Sequence, residues 1–365
     1  PCGRRSTAIP SNNGQNKRMK HTYIIGEIGQ NHNGSVEIAR TLIDAVSQPV
    51  VDNLFGEKLK PMDAIKLTKR DLKEELSASA MLKPYNSPNS FGKTYGEHRA
   101  YLELSDEQHH EIFLYAKSKG LEFVETLCAR GCLTLLNHFI PDRLKVASRD
   151  LTNLPLLEAM AETRIPMILS TGMGGRKELD QALQVITRQH SDVSILHCLS
   201  QYPSEYRNIN LNTIPYLKKH YPGYKIGYSD HSIGIMVPAA AVALGAEIIE
   251  KHITLDRTMK GTDHQGSLGV DGIYRMVRDI RNLEMALGVE DMFISDAVQD
   301  TRIKLERSVA ALSPIRKGEI ITSDKLHLLS PGDGFKWNER SLIIGRRAAC
   351  EIPADEVIYP KMLEE

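Results

Sequence analysis

The stretch LEFVETLCARGCLTLLNHFIPDRLKVAS (121–148) decides the fold, because it contains one complete unit of a repeating pattern. Two short apolar runs, LEFVET (121–126) and RLKVAS (143–148), flank an amphipathic segment of helical length at 130–139. The runs are mostly continuous rather than alternating, which is typical of strands covered on both faces. The stretch therefore predicts a strand, a helix and a second strand of a parallel sheet.

The same unit recurs along most of the chain. Six further apolar runs lie at 22–28, 63–67, 166–171, 193–198, 224–229 and 246–253. Further amphipathic segments of helical length lie at 35–48, 105–119, 151–164, 175–189, 210–220, 235–244 and 271–287. Eight strands and eight helices within about 270 residues predict an α/β fold of the (β/α)8 TIM-barrel type. A doubly wound open sheet is the alternative, but no glycine-rich GxGxxG turn follows the first run.

Composition and charge exclude several functional classes. The 365 residues are 41% hydrophobic and 25% charged, which is ordinary for a globular protein. Lysine plus arginine equals aspartate plus glutamate, so no net charge favours a nucleic acid or an anionic membrane as partner. No run approaches the ~20 apolar residues that cross a bilayer, and the N-terminal segment lacks the apolar core of a secretion signal. We therefore expect a cytoplasmic protein whose scattered cysteines are reduced.

The pattern divides the chain into segments. Residues 1–20 are polar and are expected to form a flexible tail, and residues 21–289 hold the barrel. An insert at 69–104 is far longer than a usual strand–helix loop; its aromatic residues favour a lid over the barrel mouth, with a disordered excursion as the alternative. Residues 290–307 have the composition of a charged linker. Residues 308–365 show short alternating runs between Gly and Pro turns, which predict a small β-rich domain.

Two lysines lie on apolar runs near the carboxyl ends of predicted strands, Lys66 in AIKL and Lys145 in LKVA. An isolated ammonium group is costly to bury, so each lysine needs an anionic partner. The mouth of a barrel collects the carboxyl ends of all its strands, which here adds the hydroxyl groups of Thr126, Ser148, Ser170 and Ser229. These groups predict a site for a phosphate plus a carboxylate, with a buried Lys–Glu network as the alternative.

His231 and His252 end the seventh and eighth predicted strands, which are neighbours in the barrel. Two imidazoles are too few for a closed structural zinc site, but they suit an open Mn²⁺ or Mg²⁺ site completed by water. The alternative is that both histidines lie in the core, bind no metal and have their hydrogen bonds satisfied by the protein. The loop after the eighth strand adds Asp263 and His264 to the same rim, and the first strand ends in Glu27.

With these residues placed, the chain from Tyr23 to the C terminus resembles the sialic acid synthase family, whose members condense phosphoenolpyruvate with N-acetylmannosamine or its 6-phosphate. The resemblance rests on the ordered motifs EIGQNHNG (27–34), FGKTYGEHR (91–99), KVASRD (145–150), ILSTGM (168–173), GYSDH (227–231), VALGAEIIEKHITLD (242–256) and GTDH (261–264). The KTYGEH insert resembles the branch that contains the animal 9-phosphate synthases. Residues 308–365 resemble the antifreeze-like (SAF) domain that follows the barrel in this family.

The resemblance implies roles for the residues at the strand ends. It implies a divalent metal on His231 and His252, which gives His231 a catalytic role, and proton transfer by Glu27. The phosphoenolpyruvate contacts would fall on Lys66, Thr126, Lys145, Ser148, Ser170 and Ser229. The sugar side would be formed by Asp150, Tyr202 and Asp263, the last also supporting catalysis. The resemblance further implies a domain-swapped homodimer, in which the SAF domain packs over the neighbouring subunit's barrel.

The activity implied is that of a transferase of the N-acetylneuraminate synthase type, which forms a carbon–carbon bond and releases phosphate. The resemblance does not fix the identity of the sugar, because Arg149, Ser200 and Ser330 differ from the residues usual in related synthases. A synthase of another ulosonic acid, of the legionaminic, pseudaminic or KDN type, is the alternative. A metal-dependent barrel hydrolase is a weaker rival, since no HxH follows the first strand. Carbohydrate or ice binding by residues 308–365 is a non-catalytic rival.

Overall fold

Eight parallel strands close into a barrel, arranged around the ring in chain order. The structure is a computed structural model that describes residues 21–52 and 56–364, and the tail predicted at 1–20 lies outside the described residues. The strands are β1 (Tyr23–Gly29), β2 (Ala64–Lys69), β3 (Glu122–Leu127), β4 (Arg143–Val146), β5 (Met167–Ser170), β6 (Val193–Cys198), β7 (Lys225–Asp230) and β8 (Ile248–His252). The closed ring confirms the predicted (β/α)8 barrel and excludes the open sheet.

Apolar side chains fill one layer of the barrel interior. Its buried members are Ile25, Ala64, Val124, Ile168, Leu196 and Ile248. Side chains two positions apart on a strand point to the same face of the sheet. The next inward positions on β1, β2 and β3 are therefore Glu27, Lys66 and Thr126, all of them buried. A polar layer thus lies directly above the apolar one, at the carboxyl ends of the strands.

The outward side chains of the strands pack against helices in a larger core. The α-helices of the barrel are Val36–Ser47, Asp106–Ser118, Leu154–Glu162, Arg176–Ile186, Tyr206–Ile209, Thr213–His220, Met236–Ala243 and Val270–Ala286. Helix starts follow local signals, since Ser35 accepts a hydrogen bond from Ile38 N and Ser105 forms a capping box with Gln108. Within residues 21–52 and 56–364, no helix is long and apolar enough to span a membrane.

The helical segment predicted at 130–139 forms a 3₁₀ helix, Arg130–Asn137, rather than an α-helix. Its buried residues, Cys132 and Leu135, are three positions apart, which matches the three residues per turn of a 3₁₀ helix. The other 3₁₀ turns of the barrel unit are Ser148–Asp150 and His264–Gly266, and a two-residue antiparallel ladder joins Val50–Val51 to Lys58–Leu59.

The insert at 69–104 is ordered and carries short helices, Leu72–Glu75, Ala78–Met81 and Tyr95–Leu102. An aromatic cluster consisting of Tyr85, Phe91, Tyr95, His98 and Tyr101 holds it together. The insert also contacts the loop after β8, where Gly261 N donates to Asn89 Oδ1 at 3.4 Å and the Lys260 ammonium lies 5.0 Å from the Phe91 ring centre. These contacts rule out the disordered alternative, and the lid role stays a prediction.

A second compact unit comprises Val289–Glu365. It contains the antiparallel strands β9 (Ser308–Ala311) and β10 (Leu326–Leu329), the α-helix Gln299–Leu305 and the 3₁₀ turns Asp296–Val298, Ser323–Lys325, Trp337–Leu342 and Pro360–Met362. Its own small core consists of Val309, Ala311, Ile315, Ile321, Leu326, Ile343, Ala348, Ile352, Ile358 and Leu363. The predicted linker, 290–307, is part of this unit, because Gly332 N donates to Ile303 O at 2.7 Å.

Candidate active site

The carboxyl ends of the barrel strands surround a polar cavity of about 470 Å³. The predicted site residues that line it are Glu27, Lys66, Thr126, Lys145, Ser148, Ser170, Tyr202, Ser229, His231, His252 and Asp263. We call the inward residues of the strands the strand layer: Glu27, Lys66, Thr126, Lys145, Ser170, Ser229 and Glu250. We call the loop layer five lining residues that the insert at 69–104 and the turn after β4 supply: Arg70, Tyr85, Tyr95, Arg99 and Arg149.

Strand pairing fixes the neighbours within the strand layer. Glu27 lies opposite Lys66, and Thr126 lies opposite Lys145. Lys66 Nζ lies 2.9 Å from Glu27 Oε2 and 3.6 Å from Glu250 Oε1, and it donates to Thr126 Oγ1 at 3.2 Å. Burial acts to lower the pKa of Lys66, but the carboxylates of Glu250 and Glu27 raise it overall. Lys66 is therefore a fully charged ammonium within a buried Lys–Glu network.

Lys145 has a different environment. Its Nζ donates to Ser170 Oγ at 2.6 Å and to Val146 O at 2.9 Å, and it has no ion-pair partner among the described residues. Burial lowers the pKa of Lys145 from its ordinary value. The cost of burying an ammonium group therefore favours an anionic ligand at Lys145. At Lys66, the carboxylates of the protein already offset that cost.

The two carboxylates of the strand layer have opposite protonation tendencies. Burial raises the pKa of Glu27 to about 7, although the nearby Lys66 acts to lower it. The pKa of Glu250 is lowered instead, because Lys145 and Lys66 outweigh its burial, and Ser229 donates to its Oε1 at 2.9 Å. Glu27 can therefore exchange a proton near neutral pH, while Glu250 stays ionised and forms an ion pair with Lys66.

The two histidines face each other across the rim, with ring centres 5.3 Å apart. His231 Nδ1 donates to Leu199 O at 2.9 Å, which leaves a lone pair on Nε2. His252 Nδ1 is buried without a hydrogen-bond partner among the described residues, and burial lowers the pKa of His252. The Tyr202 ring lies 4.0 Å from that of His231.

Two imidazoles with nitrogen atoms available to a ligand fit a divalent metal in an open site. In residues 21–52 and 56–364, no group of three or more His, Cys, Asp or Glu side chains is arranged to hold a metal ion. Water or substrate oxygens would therefore have to complete the coordination of any metal that His231 and His252 hold.

Two residues expected at the rim lie elsewhere. Asp150 does not line the cavity; it belongs to the 3₁₀ turn Ser148–Asp150 and pairs with Arg149 Nε at 3.2 Å. Residues two apart in a 3₁₀ turn point in different directions, so the turn that brings Ser148 to the cavity turns Asp150 away. His264 is fully buried, with Nδ1 2.7 Å from Thr254 Oγ1.

Several lining residues were not among the predicted site residues. Glu250 carries a usable signal, because it lies two positions before His252 on the same strand and so shares its face. The loop layer carries no such signal, since its residues lie outside the barrel strands and strand alternation does not apply to them. Arg70 and Arg149 share one partner, Glu75, whose Oε1 lies 2.6 Å and 2.8 Å from them.

Comparisons with known proteins agree with this architecture. The NeuB family model matches residues 58–292, and the SAF domain model matches residues 306–364. The human N-acetylneuraminate-9-phosphate synthase is 33% identical over 343 residues, with 94% of this chain and 92% of that protein covered. The N,N'-diacetyllegionaminic acid synthase of Legionella pneumophila is 32% identical over 347 residues, with 94% of each covered.

A solved structure is also similar. The N-acetylneuraminic acid (sialic acid) synthetase from Leptospira borgpetersenii serovar Hardjo-bovis, in complex with citrate, has 30% identity and a TM-score of 0.64, covering 77% of this chain and 90% of that one. The barrel, its polar mouth and these matches define an enzyme of the N-acetylneuraminate synthase type. The chain belongs to the NeuB family, and its C-terminal part is an SAF domain, which confirms the resemblance based on the motifs.

Proposed function

We propose that this enzyme condenses phosphoenolpyruvate with an N-acetylmannosamine-type sugar, free or 6-phosphorylated, to form a sialic or related nonulosonic acid and phosphate. The observation that carries the proposal is the buried Lys145 ammonium, which has hydroxyl and carbonyl partners but no carboxylate partner among the described residues. The names of the relatives support an acid synthase, of the sialic, legionaminic or pseudaminic type.

Phosphoenolpyruvate carries a phosphate and a carboxylate on one small carbon skeleton, so it needs two cationic groups and several donors close together. Lys66 and Lys145 supply the cations, and the surrounding hydroxyl donors are Thr126, Ser148, Ser170 and Ser229. Held in this way, the C3 atom of the ligand stays within reach of an aldehyde bound beside Glu27.

The reaction we propose is an aldol-like condensation. C3 of phosphoenolpyruvate attacks the aldehyde carbon of the open-chain sugar, and Glu27 gives a proton to the oxygen that becomes an alkoxide. Water adds at C2 and the C2–O bond to phosphate breaks, which leaves an α-keto acid that closes into a ring. When bound at His231 and His252, Mn²⁺ or Mg²⁺ would supply Lewis acidity to the aldehyde oxygen.

The sugar would occupy the part of the cavity near Tyr202 and Asp263, both of which line it. The predicted sugar contact of Asp150 is not part of the proposal, because that carboxylate is bound to Arg149 outside the cavity lining. Synthesis of another ulosonic acid stays the second candidate, favoured by the similarity to legionaminic acid synthases.

A substrate panel tests the reaction. We expect inorganic phosphate to be released only when phosphoenolpyruvate, an aldose and Mn²⁺ or Mg²⁺ are all present, with a product mass equal to the sugar plus pyruvate. Removing the metal with EDTA should stop release, and adding Mn²⁺ should restore it. A His231→Ala/His252→Ala double variant that still releases phosphate at the unmodified rate would contradict the metal assignment, and sugar-independent release would contradict the condensation.

We also propose a cytoplasmic homodimer in which the SAF domain of one subunit covers the barrel of the other. The family resemblance supports the dimer, and the free thiols of Cys128, Cys132, Cys198 and Cys350 support a reducing compartment. Light scattering of the full chain tests the dimer. In addition, the Lys145→Met variant can be mixed with a chain that ends at residue 307 and so lacks the SAF domain. The mixture should regain activity if the SAF domain of the first chain acts on the intact barrel of the second.

A further inference from the structure

The cavity contains five cationic side chains, and their partners differ. Lys66 is paired with glutamates of the strand layer, and Arg70 and Arg149 share Glu75. Lys145 lacks a carboxylate partner among the described residues, and the proposed function uses it to hold phosphoenolpyruvate. Arg99, in the insert helix Tyr95–Leu102, also lines the cavity and has no ion-pair partner in the described part of the chain. An uncompensated guanidinium facing a polar cavity indicates a second anion site.

Neutral groups hold Arg99 in place. Its Nε and Nη2 donate to the Tyr95 hydroxyl at 2.8 Å and 2.6 Å, and its Nη1 donates to Gln30 Oε1 at 2.5 Å. Tyr95 precedes Arg99 by one helical turn, at the start of a helix fixed by a capping box between Thr94 and Glu97. A guanidinium has five N–H donors, so one donor on each terminal nitrogen remains for a ligand.

Gln30 provides an independent observation. It is only 8% exposed and lines the same cavity, and its Oε1 is occupied by Arg99. Its Nε2 is buried and has no hydrogen-bond partner among the described residues. A buried amide donor without an acceptor is costly, so the position beside Arg99 favours a ligand rich in acceptor atoms.

We propose that Arg99 and Gln30 bind a phosphate monoester at the end of the acceptor sugar remote from its aldehyde. This inference rests on the proposed function, in which Glu27 and the histidines at the strand ends hold the aldehyde end. The opposite end of the sugar then extends towards the loop layer, where Arg99 lies. A phosphate dianion offers several acceptor oxygens, which match the forked donors of Arg99 and the amide of Gln30.

The test compares kcat/KM for an N-acetylmannosamine-type acceptor with and without a 6-phosphate. We expect the wild type to prefer the phosphorylated acceptor, and Arg99→Met to lower that preference about 10- to 100-fold. Gln30→Glu should do the same while keeping Arg99, because the new carboxylate neutralises the guanidinium. Arg149→Met is the matched control, since Arg149 already has Glu75 and Asp150; it should change the preference less than about threefold.

Calorimetry with the reduced acceptors, the alditol and its 6-phosphate, separates this inference from the reaction itself, because alditols cannot react. If the wild type binds the alditol phosphate more tightly than the alditol, and Arg99→Met loses this difference, the phosphate site is supported. This holds even if no sugar is turned over; in that case the proposed function is wrong but the phosphate site is not. Equal binding of the two alditols by the wild type overturns the phosphate site. Loss of the preference in Arg149→Met but not in Arg99→Met overturns the assignment to Arg99.

Discussion

The strand layer and the loop layer line one cavity, but they are built by different means. In the strand layer, the barrel register sets every neighbour, so Glu27 meets Lys66 and Thr126 meets Lys145 through backbone pairing alone. In the loop layer, side chains position one another, as when Glu75 joins Arg70 to Arg149. The first kind of construction suits chemistry that must stay constant, and the second suits specificity that differs between relatives.

The largest expected effect lies in the strand layer. Glu27→Gln should lower kcat about 10²- to 10⁴-fold, because the amide cannot donate the proton that the sugar oxygen needs. Binding of phosphoenolpyruvate, measured by calorimetry, should change little, since Lys66 and Lys145 remain. Glu162→Gln, at an exposed helix position, is the control. If the Glu27→Gln variant no longer binds phosphoenolpyruvate, Glu27 helps to form the anion site and is not assigned to proton transfer.

The next effect separates the two lysines of the strand layer. Lys145→Met should weaken phosphoenolpyruvate binding about 100-fold, because it removes an ammonium group that has no carboxylate partner among the described residues. Lys225→Met is the control, because Lys225 is exposed at the opposite end of β7. Titration calorimetry of both variants measures the difference. Unchanged affinity in Lys145→Met would remove the observation on which the proposed function depends.

The contrast between the layers also explains what the sequence can predict. Barrel strands carry their functional groups at their carboxyl ends, and this rule alone identifies Glu27, Lys66 and Thr126. Period-two alternation adds Glu250, to which the sequence analysis assigns no role, because it shares a face with His252. Asp150 lies outside the cavity lining because the chain turns into a 3₁₀ helix past the end of β4, where the alternation of a strand no longer applies. The position of Arg99 depends on the packing of a long insert, which no local pattern specifies.

A smaller effect tests whether the two layers are independent. Glu75→Gln removes the carboxylate shared by Arg70 and Arg149, and it should lower the free energy of unfolding of the barrel by about 1 to 3 kcal/mol. Phosphoenolpyruvate affinity should change less than about threefold, because none of its proposed ligands contacts Glu75. Denaturant unfolding and calorimetry measure the two quantities, with Glu74→Gln at the exposed neighbouring position as control. A large loss of affinity would show that the layers are coupled.

The smallest expected effect is a pH dependence of the free energy of unfolding, caused by Glu103, which contacts Arg70 of the loop layer. Burial raises the pKa of Glu103 to about 7, even though Arg70 N donates to its Oε2 at 3.2 Å. The folded chain therefore holds a proton that the unfolded chain, with an ordinary glutamate pKa near 4.5, has released. The resulting stability is present in full below about pH 4.5 and is lost as the pH rises through about 7.

Glu103→Gln should remove this dependence, because the amide stays neutral at every pH. Relative to the wild type, the variant should gain about 1 to 3 kcal/mol in free energy of unfolding between pH 5 and pH 8. Urea unfolding at both pH values measures the change, and Glu158→Gln, exposed on the helix Leu154–Glu162, controls for loss of a carboxylate elsewhere. A difference between variant and wild type that is the same at both pH values would show that Arg70 keeps Glu103 ionised. Glu103 would then stabilise the loop layer as an ion pair, in the same way as Glu75.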